Sequence, residues 1–180
     1  MIQIVRIPTE RVGVLIGKGG STKQKIEKIT GVRISVDSEE GDVEIDMTHA
    51  KDPGTALSVS NVVIAIGRGF SPEKAIRLLN DEYLLEMMDI RDYVGKKQSH
   101  VIRMRSRVIG TRGRTRSIFE EITGASISVY GNTIAIIGME LQVEIARRGM
   151  DMLLSGSEHA TVYHFLENSR AQLKVDGMGF

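Results

Sequence analysis

Two short glycine motifs, at residues 16–20 and 109–113, have the residue types and the spacing to bind phosphate. Each reads Ile-Gly-x-x-Gly and places a cation between its outer glycines, Lys18 in the first motif and Arg112 in the second. Glycine has no side chain to keep a nucleotide backbone away from the main chain. A helix that begins directly after such a loop adds unpaired N–H groups and a positive dipole end, which attract anions. The motifs therefore indicate contact with the sugar-phosphate backbone of a nucleic acid.

The two motifs belong to an internal repeat, because residues 14–36 match residues 107–129 at a constant offset of 93 without a gap. After the loop, both copies continue into an amphipathic stretch, then Ile-Thr-Gly, then Ile-Ser-Val. A self-match at a fixed period is the mark of duplicated structural units. The sequence therefore predicts two homologous modules.

The apolar periodicity around each loop predicts the order β-α-loop-α-β-β-α in both modules. In the first module, Gly31 should end the helix that follows the loop, because glycine suits a left-handed cap. The helix predicted after the strands is apolar nearly all round, so we expect it to be buried. The fold class is therefore α+β, with two domains at residues 1–80 and 81–180, each a three-stranded antiparallel sheet packed on helices, and a C-terminal helical extension on the second. The predicted strands are 2–7, 32–36, 43–47, 84–90, 125–129 and 133–137, and the predicted helices are 10–16, 22–30, 55–66, 140–154 and 161–173.

The composition argues against several classes of protein. Among 180 residues there is no cysteine, which excludes disulfides, thiolate metal sites and cysteine nucleophiles. Apolar runs are far shorter than the ~20 residues that a bilayer-spanning helix needs. We therefore expect a protein without a membrane segment, located in the cytoplasm.

The motif chemistry argues against an enzyme. The segment 13–18 resembles a phosphate-binding P-loop, but it has three spacer residues where four are required, and a glycine follows the lysine where a Ser or Thr should bind magnesium. The four histidines are scattered without a metal-ligand spacing. We therefore predict no catalytic residues, no metal and no cofactor.

Positive charge is concentrated around the second loop. Residues 93–117 contain eight Lys or Arg residues and no Asp or Glu, whereas the formal net charge of the whole chain is +1. Such a cluster is typical of a phosphate-binding surface. The first module has lysines near its loop but also an acidic stretch at residues 39–46. We therefore predict that the second module is the primary nucleic-acid site and the first is secondary.

The residues predicted to contact RNA lie in the loops and beside them. An apolar groove next to each loop, formed in part by Ile26 or Phe119, is expected to hold splayed bases. The backbone of the following strand, at Ile34 or Ile127, is expected to meet the base edges. The predicted contacts of the second module are Arg103, Arg105, Arg107, Ile109, Gly110, Thr111, Arg112, Gly113, Arg114 and Arg116, and those of the first are Ile16, Gly17, Lys18, Gly19, Gly20, Ser21 and Lys23.

Both halves of the chain resemble the KH family, whose signature is Val-Ile-Gly-x-x-Gly followed by a helix ending in Thr-Gly and then a strand. The order of elements, with the extra helix after the three strands, is similar to the type I (eukaryotic-type) arrangement. The segments 65–75 and 156–166 further resemble the KH-domain assembly factors of the small ribosomal subunit, the partners of the Nob endonuclease. That resemblance implies binding of single-stranded RNA near the 3′ end of 16S-type rRNA during pre-rRNA maturation. It also implies, as protein partners, a Nob-type endonuclease or translation and ribosome assembly proteins.

Two other functions remain open from the sequence. One is a scaffold that uses KH folds to dock other proteins, with RNA contact minor. The other is a different RNA role, as the RNA-binding subunit of an RNA-decay complex or as a transcription-associated factor, both of which also use KH modules. A scaffold should retain its protein partners after nuclease treatment, whereas an RNA binder should lose affinity as the salt concentration rises.

Overall fold

The computed structural model describes residues 1–178 and divides the chain into two compact units, residues 1–83 and residues 84 onward. Each unit has one three-stranded sheet together with helices, so the predicted α+β class is confirmed. The division falls close to the boundary that the sequence places between residues 80 and 81. Residues 179 and 180 of the predicted second domain lie outside the described residues.

Unit 1 follows the predicted order of elements. These are β1 (Ile2–Arg6), a 3-10 turn (Thr9–Arg11), α1 (Val12–Ile16), a 3-10 turn (Lys18–Gly20), α2 (Ser21–Thr30), β2 (Arg33–Val36), β3 (Asp42–Asp46), α3 (Pro53–Gly67), α4 (Pro72–Ala75) and a 3-10 turn (Ile76–Leu79). The strands are ordered β1-β3-β2, and both outer strands are antiparallel to β3. The strand that follows the glycine loop and α2 is therefore an edge strand of the sheet.

The core of unit 1 lies between the sheet and its helices. Leu15 of α1, Ile26 of α2, Ile45 of β3 and Ile66 of α3 are fully buried. The expectation that the apolar third helix is buried throughout is wrong at its beginning, where Leu57 is 67% exposed. The buried residues of α3 all lie from position 59 onward.

Unit 2 repeats this plan with a longer helix before the glycine loop and an added C-terminal helix. Its elements are β4 (Tyr83–Asp89), α5 (Arg91–Val94), α6 (Gln98–Ile109), a 3-10 turn (Thr111–Gly113), α7 (Arg114–Thr123), β5 (Ser126–Tyr130), β6 (Thr133–Met139), α8 (Glu140–Leu154) and α9 (His159–Gly177). The strands are ordered β4-β6-β5, so β5 is the counterpart of β2. The final helix, predicted for 161–173, begins two residues earlier and ends four residues later. No helix within residues 1–178 combines the length and the apolar character needed to cross a bilayer.

The core of unit 2 is more continuous than that of unit 1. Ser126 and Ser128 on the polar face of β5 are buried, and β6 is buried from Ile134 to Gly138. The expectation of a half-buried, alternating strand is therefore wrong for the second copy. The run Thr-Ile-Ala-Ile-Ile-Gly-Met of β6 explains the difference, because both of its faces carry small or apolar side chains.

Polar contacts anchor the beginning of the basic segment to the rest of unit 2. Asp89 accepts hydrogen bonds from Arg91 at 2.7 Å and from Asn132 at 3.0 Å, and the pKa of its carboxyl is held well below the usual value, first by the hydrogen bond from Arg91. The Tyr93 hydroxyl donates to Asp151 Oδ1 at 2.6 Å, which raises the pKa of Tyr93 to about 12. These bonds hold α5 against β4 and α8, and α6 follows directly from α5.

Candidate nucleic-acid interface

The two glycine loops have the same backbone conformation. The first glycine has φ 77° and ψ 171° at Gly17 and φ 77° and ψ 170° at Gly110. The last has φ 79° and ψ 12° at Gly20 and φ 76° and ψ 15° at Gly113. The internal repeat in the sequence is therefore a repeat of local structure, and each loop leads directly into a ten-residue helix, α2 or α7.

The first glycine of each loop is required by close packing as well as by its dihedral angles. A Cβ atom on Gly17 would lie 2.5 Å from Thr22 Oγ1 and 2.7 Å from Thr22 N. A Cβ atom on Gly110 would lie 2.7 Å from Thr115 N. The loop thus folds back onto the first turn of its own helix, and only glycine permits that approach.

The middle of the loop differs between the units. Gly19 has φ 61°, whereas its counterpart Arg112 has φ 56° and is the only residue other than glycine with a positive φ within residues 1–178. An L-residue in this region costs about 1–2 kcal/mol relative to a right-handed conformation. Because the Arg112 side chain is exposed, no burial offsets that cost. Strain of this kind concentrates at functional positions, which supports a binding role for its guanidinium.

Replacing the strained Arg112 by glycine should raise the stability of the protein but weaken its binding of RNA. Arg112→Gly is expected to raise the free energy of unfolding by about 0.5–1 kcal/mol, because left-handed strain is removed while the unfolded chain gains some freedom. It should weaken single-stranded RNA binding about tenfold through the loss of one charge-assisted contact. Denaturant unfolding and anisotropy titration measure the two effects.

The reciprocal variant provides the control for that prediction. Gly19→Arg places a cation in the first loop, where an added Cβ has open space within 4 Å. It should strengthen RNA binding and lower stability. Equal RNA affinity of the wild type and Arg112→Gly would contradict the role given to the guanidinium.

The helices that follow the loops begin without side-chain caps. Gly20 and Gly113 are the N-cap residues of α2 and α7, and in the described structure no side chain accepts a hydrogen bond at either N-cap. By contrast, Asp52 caps α3 by accepting from Thr55 N at 3.0 Å. The first N–H of each helix, at Ser21 or Arg114, donates to the carbonyl of Lys18 or Thr111, and the N–H groups that follow it in the first turn keep the anion-binding character of a helix N-terminus.

Most of the predicted cations of unit 2 are exposed around the second loop. Arg103 lies on α6, Arg112 in the loop, and Arg114 and Arg116 in the first turn of α7. Lys96 and Lys97, before α6, are exposed as well. In unit 1, Lys18 is exposed, whereas Lys23 is partly buried with its Nζ 3.4 Å from Glu27 Oε1.

Two of the predicted RNA-binding arginines instead bind the protein itself. The guanidinium of Arg107 donates to the carbonyl of Leu153 at 2.6 Å and to that of Ser157, so it caps the C-terminal end of α8. Arg105 donates to the carbonyl of Gly131 at 3.1 Å, in the turn between β5 and β6. The spacing of charges along the sequence cannot distinguish these side chains from their exposed neighbours. The structure therefore gives Arg107 a structural role, and its contact with RNA stays a prediction.

The apolar groove predicted beside each loop is also corrected. Ile26 and Phe119 have no exposed surface and form part of the two cores, so neither can contact a base. Ile16 and Ile109, the residues directly before the first glycines, are partly exposed. Apolar contact with a bound nucleotide would therefore come from the end of α1 or α6.

The edge strands carry a feature that the sequence analysis missed. The N–H of Ile34 in β2 donates to Glu27 Oε2 at 3.0 Å, and the N–H of Ile127 in β5 donates to Glu120 Oε2 at 3.2 Å. The two amides that were expected to meet base edges are therefore already paired. The signal was present in the sequence, because both Glu27 and Ile34 recur at the offset of 93.

Comparison with known protein families matches each unit separately. Residues 2–80 match the family described as KH domain. Residues 84–171 match the family described as eukaryotic type KH-domain (KH-domain type I). The α+β units with their glycine loops thus carry the sequence features of two KH domains in tandem.

Comparison with curated proteins finds relatives along most of the chain. The KH domain-containing protein MJ0443 of Methanocaldococcus jannaschii is 48% identical over 174 residues, which cover 96% of this chain and 76% of that protein. The pre-rRNA-processing protein PNO1 of Kluyveromyces lactis is 26% identical over 144 residues, which cover 79% of this chain and 53% of that protein. This chain therefore spans about half the length of the yeast protein.

Comparison with solved structures finds the same architecture. The crystal structure of Dim2p from Pyrococcus horikoshii OT3 matches with a TM-score of 0.86 and 47% identity, covering 93% of this chain and 99% of that one. A chain from the a/eIF2alpha-aDim2p-rRNA complex of the same organism matches with a TM-score of 0.88 and 46% identity, covering 96% and 95%.

Proposed function

This chain belongs to the KH-domain proteins, with two type I KH units in tandem, and from that membership we propose that it binds single-stranded RNA and acts in pre-rRNA maturation of the small ribosomal subunit. The observation that carries the proposal is the pair of glycine loops with matching dihedral angles, each leading into a helix without a side-chain cap. A single loop of this kind is common in turns. Two such loops, each leading into a helix without a side-chain cap, support an anion-binding site in each unit.

The relatives support the biological part of the proposal. Several are pre-rRNA-processing proteins by name, and one solved relative is in a complex that contains rRNA. We propose that the RNA bound by this chain lies near the 3′ end of the small-subunit rRNA. The proposed protein partners are a Nob-type endonuclease and translation or ribosome assembly proteins, and the proposed location is the cytoplasm.

The geometry supports different roles in RNA binding for different residues of the second unit. The main chain of Gly110 and Gly113 lets the RNA backbone approach, and the first turn of α7 offers its N–H groups to a phosphate. Arg112 and Arg114, both exposed, add charge beside it. Phosphate contacts of this kind position the RNA, and sequence is read by contacts to base edges. We propose unit 2 as the primary site because its flanks are the more basic.

We also propose that this chain acts by binding alone. The cations near the loops suit electrostatic contact with phosphates, and the motif that resembles a P-loop lacks the hydroxyl that would bind magnesium. An endonuclease partner would then supply the cleavage, while this chain supplies the position of the RNA. In support of this view, one relative is named a KH domain-containing protein, and another, from Caenorhabditis briggsae, is named an RNA-binding protein.

The test is an anisotropy titration of the whole chain with a labelled single-stranded oligonucleotide of the 3′-terminal small-subunit rRNA sequence. A scrambled strand and a duplex of the same sequence serve as controls. We expect the native strand to bind most tightly, with log K falling against log salt by about 0.7 per neutralised phosphate. Equal binding of the scrambled strand would remove the rRNA assignment, and failure to bind any RNA would remove the function.

A pull-down with and without nuclease tests the scaffold alternative. If RNA binding is the main activity, partners recovered from a lysate should be lost after nuclease treatment, because RNA bridges them. Recovery of the same proteins after nuclease treatment, together with no measurable affinity for RNA in the titration, would instead favour a protein scaffold.

A further inference from the structure

Both units contain the same arrangement of three residues, two on the helix after the glycine loop and one on the edge strand. In unit 1, Glu27 Oε2 accepts from the N–H of Ile34 at 3.0 Å, and its Oε1 lies 3.4 Å from Lys23 Nζ. In unit 2, Glu120 Oε2 accepts from the N–H of Ile127 at 3.2 Å, and its Oε1 lies 3.6 Å from Arg116 Nε. All three positions are related by the offset of 93 that relates the loops.

This arrangement lies at the free edge of each sheet. Ile34 pairs with Ile45 across β2 and β3, and Ile127 pairs with Ile136 across β5 and β6. Because the N–H of each isoleucine donates to the glutamate rather than to the neighbouring strand, these are the non-hydrogen-bonded pairs of the ladder. In such a pair the N–H and C=O of the same residue both point away from the partner strand. The carbonyl of each isoleucine therefore faces outward beside the glutamate.

The paired amide changes what this edge can offer a base. An uncapped strand edge presents one donor and one acceptor, which matches the Watson–Crick edge of adenine or cytosine. With the donor satisfied by a carboxylate, the strand and the glutamate together present acceptors, namely the backbone carbonyl and the carboxylate lone pairs that the amide and the Lys23 or Arg116 cation leave. Guanine places two donors side by side, N1–H and N2–H₂. The other bases each place an acceptor next to their donor.

We propose that Glu27 and Glu120 determine which base each unit accepts, and that they select guanine beside the edge strand. This inference rests on the proposed binding of single-stranded RNA. Each carboxylate is held in place on both sides, by the strand amide and by the cation four residues earlier, so it is oriented before RNA arrives. The Glu27 and Glu120 side chains are 24% and 23% exposed, so a base can reach them.

The test uses the whole chain and pools of random six-nucleotide RNA in which one position at a time is fixed as A, C, G or U. For the wild type, one position contacting unit 2 should favour guanine over adenine about tenfold, the discrimination expected of a good two-bond base contact. Glu120→Ala uncovers the Ile127 amide and should shift the preference at that position toward adenine or cytosine. Glu27→Ala should change the base preference at a different position of the RNA, so each RNA position can be assigned to the unit that contacts it.

Two further variants control for folding and for charge. Glu120→Gln can still accept from the Ile127 N–H but replaces the other oxygen by a donor, so it should lose the guanine preference while keeping its circular dichroism spectrum. Glu121→Ala removes an equal charge from an exposed neighbour on the same helix and should leave the base order unchanged.

The outcomes separate this inference from the proposed function. Suppose that the wild type binds RNA and that Glu120→Ala and Glu120→Gln have the same order of base preference as the wild type. That result would overturn this inference but not the proposed function. So would a uniform gain in affinity for all pools in Glu120→Ala, because the carboxylate would then only repel phosphates. Failure of the wild type to bind any pool and the 3′-terminal rRNA strand would overturn both.

Discussion

The double variant Thr111→Asp/Arg112→Asp should bind single-stranded RNA about 100-fold more weakly than the wild type, the largest effect that we expect from any surface change. The variant removes the cation at the strained loop position and places two carboxylates where the phosphates would lie. The loss of the charge-assisted Arg112 contact, at about 1.5–3 kcal/mol, together with repulsion between the new carboxylates and the phosphates accounts for a change of that size. Anisotropy titration at fixed ionic strength measures it.

The fold should tolerate these changes. Both residues are exposed, and aspartate enters the left-handed region more readily than most side chains, so the φ of 56° at position 112 suits it. The circular dichroism spectrum and the unfolding midpoint should therefore stay close to those of the wild type. Unchanged RNA affinity in a folded variant would refute the assignment of the second loop as an RNA site.

The equivalent change in unit 1 is the matched control. Lys18→Asp/Gly19→Asp alters an exposed loop of the same conformation, but its module contains the acidic stretch 39–46 and lacks a counterpart of the basic segment 93–117. The expected loss of affinity is therefore smaller. A larger loss in this variant would reverse the ranking of the two units.

The second large effect is on stability. Gly110→Ala should lower the free energy of unfolding by about 2–6 kcal/mol, the sum of backbone strain and of overpacking, because φ 77° with ψ 170° is a conformation that essentially only glycine adopts. The added methyl group would lie 2.7 Å from Thr115 N, and that atom belongs to the backbone at the beginning of α7 and cannot move without the helix. Urea denaturation followed by circular dichroism measures the change.

The last glycine of the same loop provides the comparison. Gly113 has φ 76°, but a Cβ atom there meets nothing within 4 Å. Gly113→Ala should therefore cost only the conformational strain, about 1–2 kcal/mol. Equal costs for Gly110→Ala and Gly113→Ala would show that close packing of the loop on α7 adds nothing, contrary to the geometry.

Much of the architecture follows from local sequence alone. The repeat offset, the periodicity of apolar residues and the capping residues predict helices and strands within a few residues of their observed bounds, as for α8 at Glu140–Leu154 and the left-handed Gly31. These features depend on residues that are close together along the chain, so they can be predicted from a single sequence. The glycine loops belong to the same class, because a loop between two helices owes its shape mainly to its own dihedral preferences.

What the sequence by itself could not determine is which side chains remain available to RNA. Arg107 and Arg112 look alike in a run of cations, but only tertiary contacts show that the first caps α8 while the second stays exposed. Ile26 and Phe119 lie on the apolar face that the helix periodicity predicts. The periodicity does not show how deeply a residue on that face is buried, and both side chains are fully buried. The glutamates that hold the edge amides act between a helix and a strand seven residues later. Their roles depend on how elements pack in space, which distances along the chain do not specify.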